Sequence, residues 1–201
     1  MSAPIFQDDI LFYQRLLKAS GYYNDTLDGR WGGNTDAADQ AFVADSAQLA
    51  TRLGTFDSRT EKNIATLHIK AQELARQFMQ AVAGFEVTVK IISGARSYAE
   101  QDAIFAQGRT RPGRIVTNAR GGESNHNFAI AWDVGLFDGG EYLDGDTSRE
   151  QNLYAALAQL RPSTLEWGGN WTKKDPPHYQ LPTGLSISDV RSRFESGRAY
   201  V

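Results

Sequence analysis

The chain contains no cysteine. Disulfide bridges, thiolate metal sites and a cysteine nucleophile are excluded together, so any metal must be held by histidine, aspartate or glutamate. Histidine is itself scarce: His68, His126 and His178 are the three in 201 residues. Basic charge is not in excess. With 21 lysines and arginines against 24 acidic residues the net charge is −3, and no positive field exists to hold a nucleic acid backbone. Long apolar runs are missing as well, since none approaches the ~20 residues of a membrane span. The N-terminal stretch "MSAPIFQDDILFYQRLL" lacks a basic n-region, and Asp8 and Asp9 interrupt its apolar pattern, so no secretory leader is expected. The expectation is a monomer made in the cytoplasm.

What is present is enough for a core: 41% of residues are hydrophobic and 11% aromatic. Residues 8–20 carry Ile10, Leu11, Tyr13, Leu16 and Leu17 at helical spacing, with Gly21 as the stop. After the turn-rich "NDTLDGRWGGNT", the run "NTDAADQAF" predicts a second helix capped by Asn34 or Thr35. Residues 1–50 thus form a small helical module. Ser58 with Glu61 spells a capping box. Ile64, Leu67, Ala71, Leu74, Ala75 and Phe78 continue the helix that it opens, and His68 lies on it. "FEVTVKIISG" predicts a strand ending at Gly94, "RSYAEQDAIFAQG" a short helix, and "FAIAWDVGLF" a second strand. Between these two, a polar loop carries a brief strand-like piece at Ile115–Val116. Residues 149–160 predict a further helix, and "LEWGGNW" and "PHYQL" further extended segments. The acidic "DGGEYLDGDTSRE" does not have the spacing of a calcium loop and reads as solvated. The expected fold is α+β, with a small antiparallel sheet flanked by helices over residues 51–201, preceded by the helical module.

One stretch, "ESNHNFAIAWDVG", places the carboxylate of Asp133 inside an apolar run, which is costly unless something compensates it. His126 lies an odd number of residues before it, so a straight strand would put the two on opposite faces. They converge only if the chain bends in "ESNHN", with the strand starting near Phe128. Phe128, Ile130, Trp132 and Val134 then face one way, and Ala129, Ala131 and Asp133 the other. The small alanines leave room there for a metal or a substrate. In "KKDPPHYQ", Pro176 and Pro177 favour extended backbone. A polyproline conformation puts Asp175 and His178 on one face, about 9 Å apart along the axis. Two histidines and an aspartate suit zinc, whose fourth position takes a water acidified toward pKa ~7. A carboxylate that is not a ligand then serves as base, and Asp175 is the candidate.

Two family resemblances run through these motifs. "YQRLLKASGYYNDTLDGRWGGNTDAADQAF" resembles the short peptidoglycan-binding module found beside cell-wall hydrolases, through Leu16, Leu17, Gly21, Tyr22, Asp28, Gly29, Trp31, Gly32, Thr35, Ala38 and Phe42. "SGARSYAEQDAIFAQGRT", "VTNARGGESNHNFAIAWDVGLFD" and "LEWGGNWTKKDPPHYQ", in that order, resemble the zinc peptidases of the D-Ala-D-Ala carboxypeptidase (VanY-like) type. Within these, the chain is most similar to the L-alanyl-D-glutamate endopeptidases typified by phage endolysins. The vancomycin-resistance dipeptidases tend to have glutamate where this chain has Asp175. The resemblance implies Zn2+ held by His126, Asp133 and His178, with Asp175 as the catalytic base. It implies an arginine lining the site at Arg96, suited to an oxyanion or a substrate carboxylate. Ser124 and Asn127 flank the first ligand, and Trp167 and Trp171 with Gly168 and Gly169 suit a cleft wall, so these side chains are candidate substrate contacts. The family often has glycine where this chain has Ala129. The expected activity is hydrolysis of a peptidoglycan stem-peptide amide between L-Ala and D-Glu, after holin-type release or specialised export. The alternatives are a D-Ala-D-Ala carboxypeptidase, and a non-catalytic wall-binding protein with a structural zinc site.

Overall fold

The computed structural model describes residues 9–201; residues 1–8, where the predicted first helix begins and on which the leader reading rests, lie outside the described residues. The elements follow in the order α1 (Ile10–Ala19), α2 (Gly33–Leu53), α3 (Ser58–Ile64), α4 (Ile69–Ala81), β1 (Thr88–Ser93), α5 (Tyr98–Phe105), a 3-10 turn (Asn125–Phe128), β2 (Ala131–Asp138), β3 (Glu141–Leu143), α6 (Ser148–Gln159), β4 (Glu166–Trp167), a second 3-10 turn (Gly168–Asn170), β5 (His178–Gln180) and α7 (Ile187–Glu195). The architecture is α+β, and among the described residues no helix is long and apolar enough to cross a membrane.

The described residues divide into two compact units. The first holds the residues up to Ala44, Ala95–Ile130 and Thr183–Val201. Its centre is an aromatic cluster in which Phe194 of α7 packs edge-on against Phe12 of α1 at 5.1 Å, Phe128 at 5.5 Å and Tyr200 at 6.1 Å. Edge-to-face geometry sets the positive ring edge on the negative ring face. Buried Gln14 ties down the loop after α1: its amide nitrogen donates to Asp28, the Arg30 carbonyl and Thr35, and its oxygen accepts from the Gly29 N–H. Leu16, Leu17, Thr35, Ala38 and Phe42 of the wall-module pattern are buried here, and Trp31 stacks on Tyr13 at 6.0 Å.

The second unit comprises Asp45–Gly94 and Ala131–Pro182. It carries an antiparallel sheet in the order β1-β2-β5-β4, with β3 paired to β2. Ile91, Trp132, Val134, Leu136 and Tyr179 point from one sheet face into a core with Ile64, Leu67, Ala71, Ala75 and Phe78 of the helical layer and Leu153 and Leu157 of α6. Each large apolar side chain so buried contributes about 1.5–3 kcal/mol. Period-two alternation then turns Asp133 to the opposite face.

Several local expectations are corrected. α2 starts at Gly33 and runs on to Leu53, so Asn34 and Thr35 lie inside it instead of capping it. The cap of α3 is Asp57, whose carboxylate accepts from the Arg59 and Thr60 N–H groups, and Ser58 is the first helical residue. Glu61 instead accepts from Phe56 N–H and holds buried Arg76 through both carboxylate oxygens. The single helix predicted through His68 is broken after Ile64, and His68 caps α4 by accepting from Lys70 N–H. The break has a use: Asn63 donates to the Ile91 carbonyl of β1 at 3.0 Å, and Thr66 closes on the Asn63 carbonyl. Ile115 and Val116 form no strand and are exposed. β2 begins at Ala131, not near Phe128, because Phe128 belongs to the 3-10 turn and Ala129 takes φ 56°. The left-handed region costs a residue with a Cβ about 1–2 kcal/mol.

Candidate metal centre and active site

The first candidate ligand lies on a turn held from several directions. The Ser124 hydroxyl caps the turn by accepting from His126 N–H. Asn127, fully buried, accepts from Gly122 N–H and donates to the Arg96 and Ser97 carbonyls. Arg191 of α7 donates to the Gly122 carbonyl, and Tyr200 donates to the Phe128 carbonyl at 2.6 Å. The turn is thereby fixed by the C-terminal segment and by the residues just after β1. Arg96 enters at the same place. Its N–H donates to the His126 carbonyl, Nη1 reaches Oε1 of buried Gln101, and Nη2 stands 3.4 Å from His126 Nε2. A guanidinium can only donate, so it faces the lone pair of that ring nitrogen.

Asp133 and His178 are direct cross-strand partners in the β2–β5 register, just as Trp132 and Tyr179 are on the core face. Their side chains meet, with His178 Nδ1 and Asp133 Oδ1 3.3 Å apart and 7% and 20% exposed. On its other side, His178 Nε2 lies 3.0 Å from Gln180 Oε1, and Gln180 in turn donates to Glu166. Burial alone would push the His178 imidazole down. The hydrogen bond and charge of Asp133, joined by Gln180 and the Asp175 charge, instead hold it above its ordinary range.

Asp175 is closer to His178 than polyproline geometry predicts. Among the described residues all peptide bonds are trans, and His178 N–H donates to the Asp175 carbonyl at 3.1 Å, closing a turn over residues 175–178. Such an i to i+3 bond holds the end Cα atoms within about 7 Å. Asp175 N–H is anchored in turn on the Gly168 carbonyl at 3.0 Å. "LEWGG" is therefore not extended throughout: Trp167 ends β4, and Gly168 opens a 3-10 turn. A Cβ on Gly168 would stand 2.5 Å from the Asp175 carbonyl oxygen. Trp167 donates through its indole N–H to the Pro176 carbonyl at 2.8 Å, and the half-exposed Trp171 ring lies 4.9 Å from the His178 ring.

Among the described residues, one group of ligand-type side chains could hold a metal ion: His126, Asp133 and His178. Two imidazoles and a carboxylate are a donor set that suits zinc. Sequence reasoning missed Gln101, Gln180 and Glu166. Gln180 was within reach, because it follows His178 by two residues on a strand and shares its face.

The family model described as VanY, D-alanyl-D-alanine carboxypeptidase, matches residues 64–163. Over 123 residues the chain is 38% identical to the peptidoglycan L-alanyl-D-glutamate endopeptidase CwlK of Bacillus subtilis (strain 168), an alignment spanning 57% of this chain and 73% of that protein. Among solved structures, it is similar to the L-Ala D-Glu endopeptidase ChiX of Serratia marcescens at 28% identity and a TM-score of 0.46, over 64% of this chain and 90% of that one. It is also similar to the vancomycin-resistance D,D-pentapeptidase VanY in complex with Zn(II), at 16% identity and a TM-score of 0.40, over 67% and 81% of the two chains. On the family model and the identity to CwlK over most of that protein's length, this chain belongs to the VanY family of peptidases.

Proposed function

We propose that this chain is a zinc-dependent peptidoglycan hydrolase that cuts the stem-peptide amide between L-alanine and D-glutamate. The observation that carries the reading is the Asp133–His178 pair with Asp175 anchored beside it, in a chain 38% identical to an endopeptidase of that specificity. In this reading His126, Asp133 and His178 hold the ion. Bound zinc supplies Lewis acidity, which lowers the pKa of water and polarises a carbonyl. Asp175 takes the proton of the water as its oxygen adds to the amide carbonyl carbon. The same carboxyl then delivers that proton to the nitrogen as the C–N bond breaks. Arg96 offers guanidinium N–H donors to the oxyanion. Ser124 and buried Asn127 hold the His126 turn, and Trp167 and Trp171 serve as a cleft wall. Residues 1–50 serve as the wall-binding module and residues 51–201 as the catalytic part.

Mass analysis of fragments released from purified sacculi tests the specificity. New amino termini on D-glutamate, or on its D-isoglutamyl equivalent, are expected. Release of D-alanine alone would make the chain a carboxypeptidase, and binding without release would make it a wall-binding protein.

Gly168 gives a second test. A methyl group at this position has no room against the Asp175 backbone, so Gly168→Ala displaces the base. A displacement of ~1 Å costs about 100-fold in turnover. The variant should lose that much kcat on sacculi while still binding zinc, and unchanged kcat would separate Gly168 from the placement of Asp175.

A further inference from the structure

We infer that, given the zinc role proposed for His178, Glu166 and Gln180 are positioning residues that commit His178 Nε2 to donating and so present its Nδ1 to the ion. The reasoning starts at the outer end. The Glu166 carboxylate can only accept, so the group that Gln180 turns toward it is the amide NH2. The orientation of a side-chain amide is ordinarily ambiguous, and here the acceptor-only partner decides it. Gln180 Oε1 is then the atom facing His178 Nε2 at 3.0 Å. An acceptor there requires a proton on Nε2.

With its proton on Nε2, the neutral imidazole turns the Nδ1 lone pair toward Asp133 Oδ1, 3.3 Å away. Two acceptors at that distance repel unless a proton or a metal cation lies between them, so on the neutral ring that place is open to a metal. The chain of hydrogen bonds from Glu166 through Gln180 thus aims one nitrogen of His178, on the side of Asp133, at a cation. All four side chains come from β2, β4 and β5, whose registers pair Asp133 with His178 and Glu166 with Gln180. Hydrogen-bond partners of this kind orient a ligating histidine and raise its basicity.

Two measurements that do not depend on wall cleavage test this. Zinc affinity is measured by chelator competition, and the ring N–H signals of the zinc-loaded protein are recorded by NMR, where three histidines keep assignment simple. In the wild type, His178 is expected to show an Nε2–H protected from exchange. Gln180→Ala should weaken zinc about 10–100-fold and expose that proton. Gln180→Glu alone sets two carboxylates against each other and should not recover the affinity. Gln180→Glu combined with Glu166→Gln restores the donor–acceptor order and should recover it. That recovery separates a positioning role from loss of fold, which is followed by circular dichroism and Tm. Wild-type zinc affinity in folded Gln180→Ala, or a folded swap variant that fails to recover, would overturn the assignment while leaving the zinc reading standing. A wild-type protein that binds no zinc would remove the zinc reading and this inference with it.

Discussion

Dialysis against a strong chelator should abolish peptide release from purified sacculi, and zinc added back should restore it. The expected loss is large. Lewis-acid stabilisation is worth several kcal/mol, and each ~1.4 kcal/mol is tenfold in rate, so a fall of about a thousandfold or more is expected. No cysteine is present to keep the metal or to substitute chemically, and no other group of ligand-type side chains occurs among the described residues. Reloading should depend on pH with a definite sign. Metal-free His178 holds its proton to higher pH than an ordinary imidazole, and a protonated ring cannot ligate, so binding zinc expels that proton. Zinc should therefore return more readily as the pH is raised and more poorly as it is lowered, over a range displaced upward from that of an ordinary histidine site. Release that persists through chelation would remove metal dependence altogether.

Asp175→Ala should lower kcat by about 10²–10⁴-fold, the usual worth of a positioned general base, with zinc affinity within a few-fold of the wild type. The turn that carries Asp175 is made by its backbone, since its N–H is bound to the Gly168 carbonyl and its carbonyl accepts from His178 N–H. Truncation of the side chain leaves those bonds in place, and the loss then reports chemistry instead of misfolding. Steady-state rates on a soluble muropeptide, paired with chelator competition for zinc, separate the two. Full activity in the variant would sink the assignment of Asp175 as base. Loss of zinc along with activity would make Asp175 a support of the metal.

Much of the candidate site is legible in the sequence alone. Asp133 was conspicuous because a carboxylate in an apolar run needs a partner, and the absence of cysteine narrowed that partner to a short list. In the stretch that resembles a wall-binding module, several of the matching residues have a structural part. Leu16, Leu17, Thr35, Ala38 and Phe42 are buried, and Asp28 and Gly29 are bound by Gln14. Helix limits were the least legible. Capping at α3 turned on whether Asp57 or Ser58 supplied the oxygen, and both are good caps. The break before α4 is made by contacts to β1, a strand distant in sequence.

The sequence by itself determined the chemistry available: which donors exist, that no thiolate is among them, and in what order they come along the chain. These follow from composition and from local pattern, which need no knowledge of partners. Only the tertiary structure decided which atoms meet. Asp133 lies opposite His178 because β2 and β5 adopt one register among several, and a slip of β5 by one residue would turn His178 to the core face, away from Asp133. The Asp175–His178 turn, the Gly168 contact that anchors it and the hydrogen bonds from Glu166 through Gln180 to His178 all depend on that pairing or on loops packed against it. Register is a balance of non-local contacts, and no window of sequence contains both sides of it.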